Sequence, residues 1–138
     1  MAKLINAAAP KEIVFTSGGT ESVNHAVKGV ALANSDKGRH IVTSNIEHNA
    51  VIRSLRRLKS AGFRVTSLPV DKTGRIDPHD VSEAITDETI LVSVMHSNNE
   101  TGTVQPIEEI ARMQRASISA VKSRLTRGRD RLRRFYGR

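Results

Sequence analysis

Apolar and polar positions along this chain switch repeatedly between a period of two and a period near 3.6, which predicts strands and helices in alternation. Glu12 to Thr16 predicts a short strand. Val23, Ala26, Val27, Val30 and Ala31 fall on one face of a helix running from about Thr20 to Asn34. Ser35-Asp36-Lys37-Gly38 is a turn, and Arg39 to Ser44 predicts a second strand. Val51, Leu55 and Leu58 mark a second helix stopped by Gly62. Phe63 to Val70 predicts a third strand, broken near Pro69, and Asp77-Pro78 opens a short helix with Asp as cap. Thr89 to Met95 predicts a fourth strand, and its continuous apolar run predicts burial on both faces. Pro106 begins a last helix through Ile107, Ile110 and Ala111.

This rhythm predicts an α/β fold, a parallel sheet covered by helices and joined by right-handed crossovers. There are no repeats and no low-complexity linker. No apolar stretch approaches the ~20 residues of a membrane span, and Met1 to Ala9 is too short an apolar run for a signal peptide. A cytoplasmic protein is the expectation.

Composition sharpens the picture at two points. The 138 residues include no cysteine, which excludes a disulfide scaffold, a thiolate metal site and a cysteine nucleophile. The net charge of +8 is unevenly spread. Met1 to Met113 carries 13 Lys and Arg against 13 Asp and Glu, whereas Gln114 to Arg138 carries nine against one. The chain therefore divides into a neutral body, 1–113, and a basic tail, 114–138.

Ligands of open α/β sheets bind at the carboxyl ends of the strands, and three features of the body fall there. Gly18-Gly19-Thr20 follows the first predicted strand, where glycines permit a sharp turn and the amides of a helix start can cradle a phosphate. The simpler alternative is a tight turn with Thr20 as helix cap. His48 stands after the second strand, where its ring can stack on an aromatic ligand, or where it is merely solvated. His96-Ser97-Asn98-Asn99-Glu100-Thr101-Gly102 follows the fourth strand. Asn99 can donate to a phenolate-type oxygen; the alternative is an Asx turn closed by Gly102. No metal site is expected.

In this order and spacing, these stretches resemble the cysteine desulfurases of the class V aminotransferase family, which use pyridoxal phosphate. The resemblance runs from about Ala2 to about Arg115 and rests on Glu12 to Ser22, Glu47-His48-Asn49-Ala50-Val51, Thr89 to His96 and Asn98 to Gly102. It implies part of a three-layer α/β/α transferase large domain. It also implies that Gly19 and Thr20 contact the cofactor phosphate, that His48 stacks on the pyridine ring and takes part in proton transfer, and that Asn99 reaches the phenolic oxygen. L-cysteine is the substrate of the intact family, which serves iron–sulfur cluster assembly.

Other parts of the family pattern have no counterpart here. These are an Asp for the pyridine nitrogen, a Ser-x-His-Lys segment carrying the anchoring lysine, and a loop with the sulfur-accepting cysteine. The only lysine after Asn99 is Lys122, in the tail. A truncated domain without desulfurase turnover of its own is expected, with weak, non-covalent cofactor binding at most. Self-association through apolar surface that further segments would cover is also expected.

The tail departs from the desulfurase pattern. From Ser117 it reads as a basic helix with a thin apolar stripe at Ile118, Val121, Leu125, Leu132 and Phe135. It resembles the end of region 4 of sigma factors, which implies non-specific nucleic-acid contact through Lys122, Arg124, Arg127, Arg129 and Arg131. A DNA-binding protein acting through this tail, and an accidental fusion of two gene fragments, are the alternatives to a desulfurase-like fragment.

Overall fold

A computed structural model describes residues 2–113. The expected helix from Ser117 and the five cationic residues assigned to nucleic-acid contact, Lys122, Arg124, Arg127, Arg129 and Arg131, lie outside the described residues.

The elements run in the order α1 (Ala2–Ile5), a 3-10 turn (Pro10–Glu12), α2 (Gly19–Ala33), β1 (His40–Ser44), α3 (Asn49–Ser60), β2 (Arg64–Leu68), α4 (Pro78–Ala84), β3 (Thr89–Ser93) and α5 (Ile107–Met113). The three strands form one parallel sheet in the order β2-β1-β3. Ile41 faces Val65 on one side and Leu91 on the other. A register shift after His40 lets Ile90 bulge out of the β1–β3 ladder.

Alternation along β1 builds three layers. Ile41 packs with Val27 and Ala31 of α2 and Val51, Leu55 and Leu58 of α3 on one face. Val42 packs with Ile76, Val81 of α4 and Ile110 of α5 on the other. The arrangement is the α/β/α sandwich anticipated from the sequence.

Local signals account for most boundaries. Asp77 caps α4 by accepting from the His79 amide at 2.8 Å, with Pro78 in the first turn. Gly62 (φ +88°) ends α3 in a left-handed residue; its amide bonds to Lys59 O and that of Phe63 to Leu58 O, both at 3.0 Å. Phe63, expected to open a strand, instead drops into the core beside Leu58.

Three expectations are corrected. Glu12 to Thr16 is not a strand: past the 3-10 turn its backbone is irregular, and Val14 and Phe15 are 60% and 79% exposed. A strand needs a neighbour to satisfy its amides, and no described strand pairs with this segment. The fourth predicted strand, β3, is half-buried along its whole length rather than sealed on both faces, because it is an edge of the described sheet. Full burial belongs to β1, the middle strand, despite its His, Thr and Ser. Finally, Ala26 is exposed, so the buried stripe of α2 centres on Val27 and Ala31.

Among the described residues, no helix is long and apolar enough to cross a membrane.

Candidate functional site

α2 runs into the start of β1, and α3 leaves its end after four residues, so both helices run against the strand. Their first turns therefore stand on the same rim of the sheet, where β1 and β3 also end. A polar stitch fixes the pair. Ser54 Oγ shares its one hydrogen between Ala50 O at 2.8 Å and Asn24 Oδ1 at 3.1 Å, and Asn24 Nδ2 donates to Thr20 O at 2.8 Å. Neither Asn24 nor Ser54 was anticipated; Ser54 is fully buried on what reads as a plain amphipathic helix.

The first turn of α2 differs from the expected glycine turn. Gly18 (φ 168°) is the cap residue in an extended conformation open to any amino acid, and Thr20 lies inside the helix rather than capping it. No side chain caps the helix start; Glu21 accepts instead from Ser17 N and Ser17 Oγ, both at 2.7 Å, tying the residue before Gly18 to the first turn. Those bonds hold its carboxyl below the usual range. A side chain at Gly18 or Gly19 would meet nothing within 4 Å. The fold itself therefore does not require these glycines.

His48 caps α3: its Nδ1 accepts from Ala50 N at 3.1 Å. After β3 the two asparagines divide their tasks. Asn98 Oδ1 accepts from the amides of Glu100 and Thr101, each at 2.9 Å, and its Nδ2 donates to Ile46 O at 3.2 Å. The Asx turn considered as an alternative thus belongs to Asn98. The exposed Asn99 amide has no hydrogen-bond partner among the described residues.

His48 and Asn99 meet around a hollow of about 360 Å³, with Ile46, Glu47, Asn49, Asn98, Glu100 and Thr101 completing its lining. Gly19 and Thr20 are not part of that lining; they stand on the adjoining helix at the same rim. Glu47, which sequence reasoning passed over, is buried beneath. Burial pushes its carboxyl up, while bonds from Met95 N and Ser44 Oγ pull it back. Nothing in the pattern Ile46-Glu47-His48 marks this Glu as buried, because its two partners are 48 residues downstream and three upstream.

The residues present suit a phosphorylated pyridine. The hollow has the size of a small-ligand site and is flanked by a ring that can stack and an amide free to donate. The start of α2, with Gly18 as its cap residue and no side-chain cap, is the element suited to a phosphate ester.

Comparison with known proteins gives the same direction. Residues 1–121 match the family model for aminotransferase class-V. The chain is 60% identical over 99 residues to a cysteine desulfurase IscS of Methanosarcina thermophila, covering 72% of this chain and 24% of that protein. Among solved structures, a NifS-like protein superposes with a TM-score of 0.75 at 40% identity, over 81% of this chain and 30% of the other. SspA, solved in complex with cysteine, superposes with a TM-score of 0.73 at 45% identity, over 81% and 32%. The chain spans about a quarter of the length of the curated relatives it matches. With its sandwich, strand-end loops and sequence all in agreement, this chain belongs to the class V aminotransferase family, and over its N-terminal part resembles the cysteine desulfurases.

Proposed function

We propose that this chain forms the ring-and-phosphate side of a pyridoxal-phosphate pocket of cysteine desulfurase type. The observation that carries the reading is the meeting of His48 and Asn99 in one hollow, from loops that follow β1 and β3. In this reading Gly19 and Thr20 bind the phosphate ester, His48 stacks on the pyridine ring, and Asn99 donates to the ring's phenolic oxygen. Bound there, the cofactor would supply the electron sink that C–S cleavage in L-cysteine requires.

The chain holds no cysteine and no lysine between Lys72 and Lys122. Sulfur transfer needs a thiolate, and tight holding of the cofactor needs a covalent anchor. We therefore assign cofactor affinity to this chain without turnover of its own. Equilibrium dialysis against pyridoxal phosphate tests the first part: saturable binding is expected, weakened in His48→Ala and in Asn99→Ala. Incubation with pyridoxal phosphate and L-cysteine, followed by sulfide and alanine assays, tests the second; robust product would overturn it.

Self-association belongs to the same reading. Val14 and Phe15 are exposed apolar side chains on an unpaired segment, and β2 and β3 are edges of the described sheet. Sedimentation velocity is expected to show concentration-dependent association, reduced in Phe15→Ser.

A further inference from the structure

Glu47 is 7% exposed, and one of its oxygens takes two hydrogen bonds that join separate strand ends. Oε1 accepts from Ser44 Oγ at 2.7 Å, at the close of β1, and from Met95 N at 2.7 Å, just past β3. Both donors are neutral, and no cation pairs with Glu47 among the described residues. The residues on either side of this tie carry the pocket. His48 follows Glu47 directly, and Asn99 comes four residues after Met95. A second bond, Asn98 Nδ2 to Ile46 O, spans the same two loops from above.

We infer that Glu47 is a positioning residue, a latch whose single acceptor oxygen holds the His48 loop against the Asn99 loop so that both side chains face one hollow. The inference rests on the pocket reading for its link to the cofactor. The physical content is reach and acceptor geometry rather than charge. An isolated carboxylate in a buried place is costly, whereas an acceptor oxygen shared by two N–H and O–H donors is not. The raised carboxyl of Glu47 agrees with a site built for the oxygen, since no positive group is there to hold the ionised form.

Two variants separate the possibilities without relying on a large deletion. Glu47→Gln keeps the length and the carbonyl oxygen and removes the charge. Glu47→Asp keeps the charge and shortens the side chain by one methylene, which withdraws the oxygen from Met95 N. Amide hydrogen exchange on the full chain, with no ligand added, is the primary measurement. In Glu47→Asp the Met95 amide and residues 96–101 are expected to exchange about tenfold faster, with the α3 amides Leu55 to Lys59 unmoved. In Glu47→Gln both regions are expected to stay within about threefold of the parent. Pyridoxal phosphate dialysis is the second measurement, with affinity expected to fall about tenfold in Glu47→Asp and to hold in Glu47→Gln.

Unchanged exchange at Met95 in Glu47→Asp overturns the latch, as does equal loosening in Glu47→Gln, which would make the charge the agent. If the parent chain fails to bind pyridoxal phosphate, the pocket reading falls, and the exchange data still decide the latch. If the exchange follows expectation but affinity does not move between the variants, the latch does not position the pocket and the inference fails at that link.

Discussion

His40 Nε2 lies 2.8 Å from Thr66 Oγ1, and the same ring's Nδ1 lies 2.7 Å from Thr89 Oγ1. One buried imidazole thus spans all three strands of the sheet, since β2 and β3 supply the hydroxyls on either side of β1. Desolvation, helped by the Arg64 guanidinium, holds this imidazole below its ordinary value of 6.5. The fold favours the neutral ring and the unfolded chain takes up the proton more readily. The resulting stability is therefore complete above the ordinary value and is lost as pH falls below it. Urea midpoints are expected to drop between about pH 7.5 and about pH 5.5, with a smaller drop in His40→Asn. The variant itself is expected to lose about 1–3 kcal/mol through two abandoned hydroxyls.

Glu47 titrates in the opposite sense. Its carboxyl is raised from 4.5, so its contribution to stability is full below that value and declines as pH rises. Glu47→Gln is expected to gain stability relative to the parent as pH rises from about 5 to about 8, read from the same urea curves.

Gly19 and Gly38 make a contrasting pair. A side chain at Gly19 meets open space, whereas one at Gly38 would strike the backbone of Glu88 in the turn before β3. Gly19→Ala is expected to leave thermal unfolding unchanged or raise stability by up to about 1 kcal/mol, while weakening pyridoxal phosphate binding. Gly38→Ala is expected to cost about 1–3 kcal/mol, because backbone rather than a pliable side chain must move.

Half-buried Asn24 and buried Ser54 join α2 to α3. A double-mutant cycle with Asn24→Ala and Ser54→Ala is expected to give a coupling of about 0.5–1.5 kcal/mol. Additive costs from calorimetric or urea unfolding would show that the hydrogen bond contributes nothing beyond packing.

Asn98 and Asn99 should respond differently to the same substitution. Asn98→Ala removes two acceptor contacts and the tie to Ile46, so the melting temperature is expected to fall, with a loss of about 2 kcal/mol. Asn99→Ala is expected to leave the melt unchanged and to lower cofactor affinity alone.

Elements with a local cause were legible in the sequence. Asp77-Pro78 and Gly62 mark their helix ends by chemistry contained within a few residues, and β1 and α2 fall within one residue of their expected bounds. What depends on distant partners was not legible. The apolar run of β3 suggested a central strand, but strand order decides burial, and order is a property of the whole sheet. Glu12 to Thr16 has strand-like composition and lacks a described neighbour to pair with. In the site, His48 and Asn99 stood out as polar groups at strand ends. Glu47 did not, because a buried carboxyl is recognisable only once Ser44 and Met95 are seen converging on it. Thr20 was foreseen as a hydroxyl at a helix start, yet the cap position fell to Gly18, where no side chain bonds the first amides.

The cap on α3 also fixes which way the His48 ring is protonated. Its Nδ1 is occupied as an acceptor by the Ala50 amide, so the neutral ring must carry its hydrogen on Nε2. Such a ring presents its Nε2–H as a hydrogen-bond donor, while Nδ1 stays engaged with the helix start. The first turn of α3 thereby leaves this imidazole with a hydrogen-bond donor to offer a ligand and its acceptor nitrogen already committed.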